Sequence, residues 1–169
     1  MKFRLISRVL GIGLIAFSFL QLTPIIVSII YNEDNIVAFA YSFLITLAFG
    51  SFLYLVNFEK KYEGIRIKEG FLLTVLLWLF FTIFATLPLI FGSKSGLSIV
   101  SAYFEATSGL TTTGATIFSD LSGEYYSILF YRGLLQWIGG LGIIVLAIAL
   151  KPLLGVVECS YIGVKLKAQ

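Results

Sequence analysis

Histidine is absent from the 169 residues, cysteine occurs once, and charged side chains make up only 12% of the chain. Without histidine the commonest general base, metal ligand and near-neutral pH switch is missing. The single thiol, Cys159, can close no internal disulfide, and no Cys/His spacing for zinc exists. The shortage of charge excludes the most. A soluble domain carries about 25% charged residues, and a soluble chain of this length still needs a polar shell over the roughly 30% of its unfolded surface that stays in water. Here 59% of residues are hydrophobic and the mean hydropathy is +0.99. A soluble enzyme, a disordered chain and a disulfide scaffold are excluded, and an all-α integral membrane protein is expected. The net charge of +3 then reads as a determinant of membrane orientation, with no nucleic-acid partner.

The gaps between charges set out the organisation. No Asp, Glu, Lys or Arg occurs in 9–32, 35–58, 70–93 or 133–150, and the apolar character of the last run begins near Tyr126. A spanning helix needs about 20 apolar residues, so all four runs suffice. In the first, the many Val, Leu, Ile and Phe residues outweigh the cost of Gln21, and Pro24 is expected to kink the helix without expelling it. Lys2, Arg4 and Arg8 before an apolar core resemble a signal peptide. No small-x-small cleavage site follows, however, so a retained anchor is expected. With both termini cytoplasmic, ten of the twelve basic residues lie inside and only Lys94 and Arg132 outside, as the positive-inside rule requires.

The stretch from Phe91 to Tyr125 is too long for a tight connection and too apolar for a solvated loop. Ser95 to Ser108 reads as a short helix with Leu97, Val100 and Phe104 on one face, stopped by Gly109. Its length is roughly half a bilayer plus its interface. Thr111-Thr112-Thr113-Gly114 follows as an extended segment. A half-spanning helix directs its negative end at a cation, and extended carbonyls can replace an ion's water shell. A re-entrant pore loop, a structural hairpin and an outer amphipathic loop all remain open on this pattern. Glu105, ionisable at membrane depth, either attracts cations, pairs with a basic residue of another repeat, or is simply hydrogen-bonded. Arg132 snorkels to the interface, pairs with Asp120 or Glu124, or serves in gating, the first two being favoured. Gly139, Gly140 and Gly142 read as helix-packing positions. No second carboxylate stands near Glu105 in sequence for catalysis, and an enzyme is not expected.

Two long motifs then stand in order. Ala106-Thr107-Ser108-Gly109-Leu110-Thr111-Thr112-Thr113-Gly114-Ala115-Thr116 resembles the first pore loop of the Trk/Ktr potassium transporter family, and Arg132-Gly133-Leu134-Leu135-Gln136-Trp137-Ile138-Gly139-Gly140-Leu141-Gly142-Ile143-Ile144-Val145 resembles the helix after it. The resemblance extends over roughly residues 1–155, because the Trk branch also places an extra helix pair before its first repeat. It implies four helix–pore-loop–helix repeats around one pore, dimers, a cytosolic nucleotide-sensing ring as partner and a place in the bacterial inner membrane. It also implies that potassium, a transported ligand and not a cofactor, is held by the backbone carbonyls of Thr112 and Thr113, with Gly114 as the filter glycine. On this basis residues 1–57 form the extra pair, 58–69 a cytoplasmic loop, 70–150 one repeat and 151–169 a cytoplasmic tail. One repeat supplies one of four filter loops, so the remaining repeats or a homo-oligomer must supply the others. Val157 to Gln169 departs from the family pattern, as a truncated or frameshifted reading frame would. The alternative expectation is a non-conducting membrane interaction subunit or truncated remnant.

Overall fold

The structure, a computed structural model, describes residues 3–56 and 67–144. Most of the expected cytoplasmic loop, the end of the fourth apolar run, the tail and Cys159 lie outside the described residues. Among the described residues six helices follow in order: α1 (Phe3–Leu20), α2 (Thr23–Ile30), α3 (Ile36–Val56), α4 (Ile67–Gly92), α5 (Ile99–Leu110) and α6 (Tyr126–Ile144). Among the described residues four spans are long and apolar enough to cross a membrane: α1 with α2, α3, α4 and α6. These are the four expected from the charge-free runs, and α5 is the short extra helix. Large apolar side chains such as Ile30, Leu55, Val75 and Trp137 are exposed around the bundle, which suits hydrocarbon as the surrounding solvent.

Pro24 acts differently from the expected mid-helix kink. The helix ends at Leu20, turns through Gln21 and Leu22, and restarts with Pro24 in its first turn, where a missing N–H costs nothing. The carbonyl that Pro24 cannot serve belongs to Leu20, and the Thr23 hydroxyl donates to it at 2.8 Å. Pro88 inside α4 poses the same problem for Phe84. There the substitute donors come from other spans: Gln21 Nε2, in the turn between α1 and α2, donates to the Phe84 carbonyl at 3.1 Å, and Tyr131 Oη to the adjacent Ala85 carbonyl at 3.1 Å. Thr46 Oγ1, whose shorter bond goes to the Ser42 carbonyl at 2.7 Å, also stands 3.2 Å from Gln21 Oε1. Gln21, fully buried, thus joins three spans.

The two N-terminal spans cross at a pair of glycines. A Cβ on Gly11 would lie 2.7 Å from the Gly50 carbonyl oxygen, so the α1 and α3 backbones touch. At the other end of these spans, a polar knot ties them to α4 and α6. Asn35 Nδ2 donates to the Gly92 carbonyl at 3.3 Å and to Ser127 Oγ at 2.8 Å, while Ser28 Oγ donates to Asn35 Oδ1 at 2.7 Å. Glu33 accepts from the Tyr126 and Ser127 amides at 2.6 and 3.1 Å, placing a carboxylate on the positive end of α6.

The helix expected over Ser95–Ser108 runs instead from Ile99 to Leu110. Ser98 is its N-cap, extended in backbone, and its side chain accepts from the Ser101 amide at 3.2 Å. Ser95 lies outside the helix because its hydroxyl and amide are taken by the Glu124 carboxylate. Gly109 does not stop the helix; it lets α5 approach α6, where its Cβ position lies 3.0 Å from Leu135 Cβ.

Candidate functional site: the loop after α5

The 12 residues of α5 reach about 18 Å, starting from the end of the bundle where α4 finishes and α6 begins. Its last residue, Leu110, meets α6 at Gly139, beyond the middle of that 19-residue helix. The chain then returns to the same end, where Glu124 holds the 93–95 turn. This is a re-entrant excursion to about half depth. The contact that fixes it leaves no room: a Cβ on Gly139 would lie 2.1 Å from the Leu110 carbonyl oxygen.

Beyond Leu110 the backbone is not the extended strand expected of three threonines. Thr112 adopts a left-handed conformation, φ 57°, and Gly114 follows at φ 76°. A β-branched residue with positive φ is strained, and surrounding bonds hold it there. The Thr111 amide donates to the Thr107 carbonyl at 2.9 Å, the Thr112 amide to Gly109 at 3.0 Å, and the Thr113 amide to Ser108 at 3.0 Å. The last two define a Schellman closure with threonine in the place usually held by glycine. Thr111 Oγ1 adds a second donor to the Thr107 carbonyl at 2.8 Å and shares a hydrogen bond of 2.8 Å with Thr113 Oγ1.

This closure sorts the polar groups of the loop. The amides of Thr111, Thr112 and Thr113 turn back onto the end of α5, whereas the carbonyls of Thr112, Thr113 and Gly114 accept no hydrogen bond among the described residues. Thr111 through Ile117 are exposed. The return limb is held from below: Ser108 Oγ donates to the Ala115 carbonyl at 2.6 Å.

Glu105 lies one turn earlier on α5, 2% exposed. Its Oε2 accepts from the Ile117 amide at 2.9 Å and from Thr116 Oγ1 at 3.2 Å, and its Oε1 takes Arg132 Nε in an ion pair. The basic partner therefore comes from α6 of this same chain, not from another repeat. Arg132 is joined to Glu105 and not to Asp120 or Glu124. Asp120 accepts from Ser122, and Glu124 takes the amides of Lys94 and Ser95 and the hydroxyls of Ser93 and Ser95. Of the three α6 glycines read as packing positions, Gly139 has its Cβ position inside contact distance of the Leu110 backbone. A Cβ on Gly142 would lie 3.3 Å from Trp78, and one on Gly140 would meet Thr112 Cγ2 only at 3.9 Å. Glu33 and Asn35 were not singled out from the sequence. An acid and an amide beside a span end were the only signal, and their partners lie about ninety residues on.

Four spans and a half-depth helix ending in a loop with unused carbonyls define a multi-pass α-helical membrane protein of the re-entrant-loop class. The sequence signature of TrkH, described as a cation transport protein, matches residues 35–165. The chain is 46% identical over 156 residues to the Trk system potassium uptake protein TrkH of Escherichia coli, and 36% identical over 153 residues to TrkG of the same organism. The crystal structure of the potassium transporter TrkH from Vibrio parahaemolyticus superposes with a TM-score of 0.85 at 40% identity, covering 92% of this chain and 33% of that one. The chain belongs to the TrkH family of cation transport proteins. It spans about a third of the length of the curated relatives, covering 92% of itself and 32% of the first.

Proposed function

We propose that this chain contributes to potassium uptake by supplying one filter loop of a Trk-type transporter, with the carbonyls of Thr112, Thr113 and Gly114 as ligands of the dehydrated ion. The observation that carries the reading is the division of the loop: its amides are consumed by the end of α5, and its carbonyls are not. A cation at this position meets oxygen dipoles from the loop and the negative end of α5 together. The names of its relatives, potassium uptake proteins, supply the cargo.

On this reading residues 70–150 are one helix–pore-loop–helix repeat, preceded by the pair in 1–57 and the cytoplasmic loop 58–69 and followed by the tail 151–169. Both termini are cytoplasmic in a bacterial inner membrane, as the positions of Lys and Arg favour. One loop covers one side of an ion, so three further loops complete the ring, from further repeats or from copies of the chain. A cytosolic nucleotide-sensing ring, which the family resemblance implies, docks on the cytoplasmic side.

The test is a transporter assembled by co-expressing the whole chain with the remaining two thirds of the Escherichia coli relative in cells lacking potassium uptake. Rubidium uptake should be restored, with rubidium preferred over sodium. Gly114→Ser should lower that preference, because φ 76° disfavours any side chain and the neighbouring carbonyls must shift. Absent uptake, or a preference indifferent to Gly114→Ser, refutes the reading and favours a non-conducting subunit.

A further inference from the structure

The pair of buried Glu105 and half-buried Arg132 does more than neutralise two charges. An ion pair needs one carboxylate oxygen, and Glu105 gives Oε1 to Arg132. The other oxygen is spent on the loop itself, accepting from the Ile117 amide at 2.9 Å and from the Thr116 hydroxyl at 3.2 Å. Ile117 stands three residues beyond Gly114. One carboxylate thereby fixes α5, the return limb and α6 relative to one another.

Other contacts extend the brace. Ser108, one turn after Glu105, takes the Ala115 carbonyl at 2.6 Å, and the Arg132 guanidinium lies 5.4 Å above the Phe118 ring. The near limb of the loop, Thr111 to Thr113, hangs from the end of α5 by its amides. The far limb, Ala115 to Phe118, is held by Ser108, Glu105 and Arg132. Thr113 and Gly114, whose carbonyls are unused, span the gap between these two anchors, so their placement depends on both.

From this geometry we infer that Glu105 and Arg132 are positioning residues for ion selection: the charged pair holds the return limb so that the Thr112–Gly114 carbonyls keep one fixed spacing. This rests on the filter reading above. Spacing matters because the number and placement of carbonyl dipoles around the ion decide how well they replace its water shell. Arg132 contributes by orienting Glu105 through the ion pair, and a charge-assisted acceptor binds the Ile117 amide more strongly than a neutral one.

The experiment uses the same co-expressed transporter in proteoliposomes, reading the rubidium-to-sodium permeability ratio beside assembly by size-exclusion chromatography. Glu105→Gln keeps an acceptor but removes the charge, and it should lower the ratio by about threefold or more while the protein assembles. Arg132→Lys, which keeps the charge and loses the planar fork, should lower it less; it is the variant read if Glu105→Gln fails to assemble. The exchanged pair, Glu105→Arg with Arg132→Glu, retains an ion pair but no acceptor for Ile117. Its ratio should stay low. A ratio fully restored by the exchange, or unchanged in both Glu105→Gln and Arg132→Lys, overturns the positioning role. Gly114→Ser in parallel separates the two levels. If it lowers the ratio and the pair variants do not, only the positioning role fails; if it too has no effect, the filter reading fails and takes the inference with it.

Discussion

Gly139→Ala tests how α5 is seated. An ordinary contact for the new methyl lies at 3.4–4 Å, and the Leu110 carbonyl oxygen would stand at 2.1 Å, with its carbon at 2.8 Å. The oxygen must therefore retreat by more than about 1 Å, and it belongs to backbone, so no side-chain rotation relieves the clash. Overpacking costs about 1–3 kcal/mol, and a backbone obstacle belongs at the upper end. Replacing a helical glycine by alanine returns up to about 1 kcal/mol. The net is about 2 kcal/mol of destabilisation, roughly a thirtyfold shift toward the unfolded state. Gly133 and Gly140 are internal controls, because a Cβ there meets nothing within 4 Å and Thr112 Cγ2 at 3.9 Å respectively. Alanine at either should be neutral or stabilising. Unfolding of the purified chain by SDS in mixed micelles, followed by circular dichroism, reads all three. Equal stability of the 139 and 140 variants would refute the reasoning and place the end of α5 elsewhere.

Three further outcomes are expected. Thr112→Gly should raise stability in the same assay by up to about 1 kcal/mol, because φ 57° costs a β-branched residue more than glycine loses in entropy; a drop would mean that the Thr112 side chain holds the loop. Burial pushes the Glu124 carboxyl up, but hydrogen bonds from Ser95, Lys94, Ser93 and Tyr125 outweigh it and hold the group below its ordinary 4.5. A depressed folded value means that its stabilisation is fully present above 4.5 and lost as pH falls through the folded value. Hydrogen exchange at the Lys94 and Ser95 amides should therefore accelerate only below that range, with Glu124→Gln removing the pH dependence; acceleration near neutrality would contradict the sign. In a Cys159→Ser background, cysteines at the exposed Asp34 and Ser122 should label from outside and one at Glu63 from inside, and external labelling at 63 would invert the topology.

Hydropathy located all four spans, because insertion into hydrocarbon is decided residue by residue and a charge-free run is visible without knowing the fold. The pore loop was legible in position but not in shape. Three consecutive threonines argue for extended backbone, and only the Schellman bonds to Ser108 and Gly109 force Thr112 left-handed. The start of α5 was less legible because three of the four residues before it, Ser95, Gly96 and Ser98, are serine or glycine; Ser98, three before Ser101, was the capping signal. Glu105 was identified as a buried acid from its depth alone, yet its choice of Arg132 over a basic residue elsewhere is a tertiary fact. The same holds for Gln21, a cost in its own span, whose value appears only beside Pro88.

The long-range amide bonds also impose an order of events during synthesis. Gln21 reaches a carbonyl 63 residues later, and Asn35 a hydroxyl 92 residues later. At about 5–20 residues per second, those partners leave the ribosome several seconds to about 20 s afterwards. For that interval the first two spans hold polar side chains whose final bonds cannot yet form, and in hydrocarbon each unmet group costs on the order of a few kcal/mol. Thr46, already made, stands 3.2 Å from the Gln21 carbonyl, while the Gln21 amide stays unserved. The N-terminal spans therefore wait as a receptor for their own downstream chain, with α4 captured first through Phe84 and Gly92, and α6 last through Ser127.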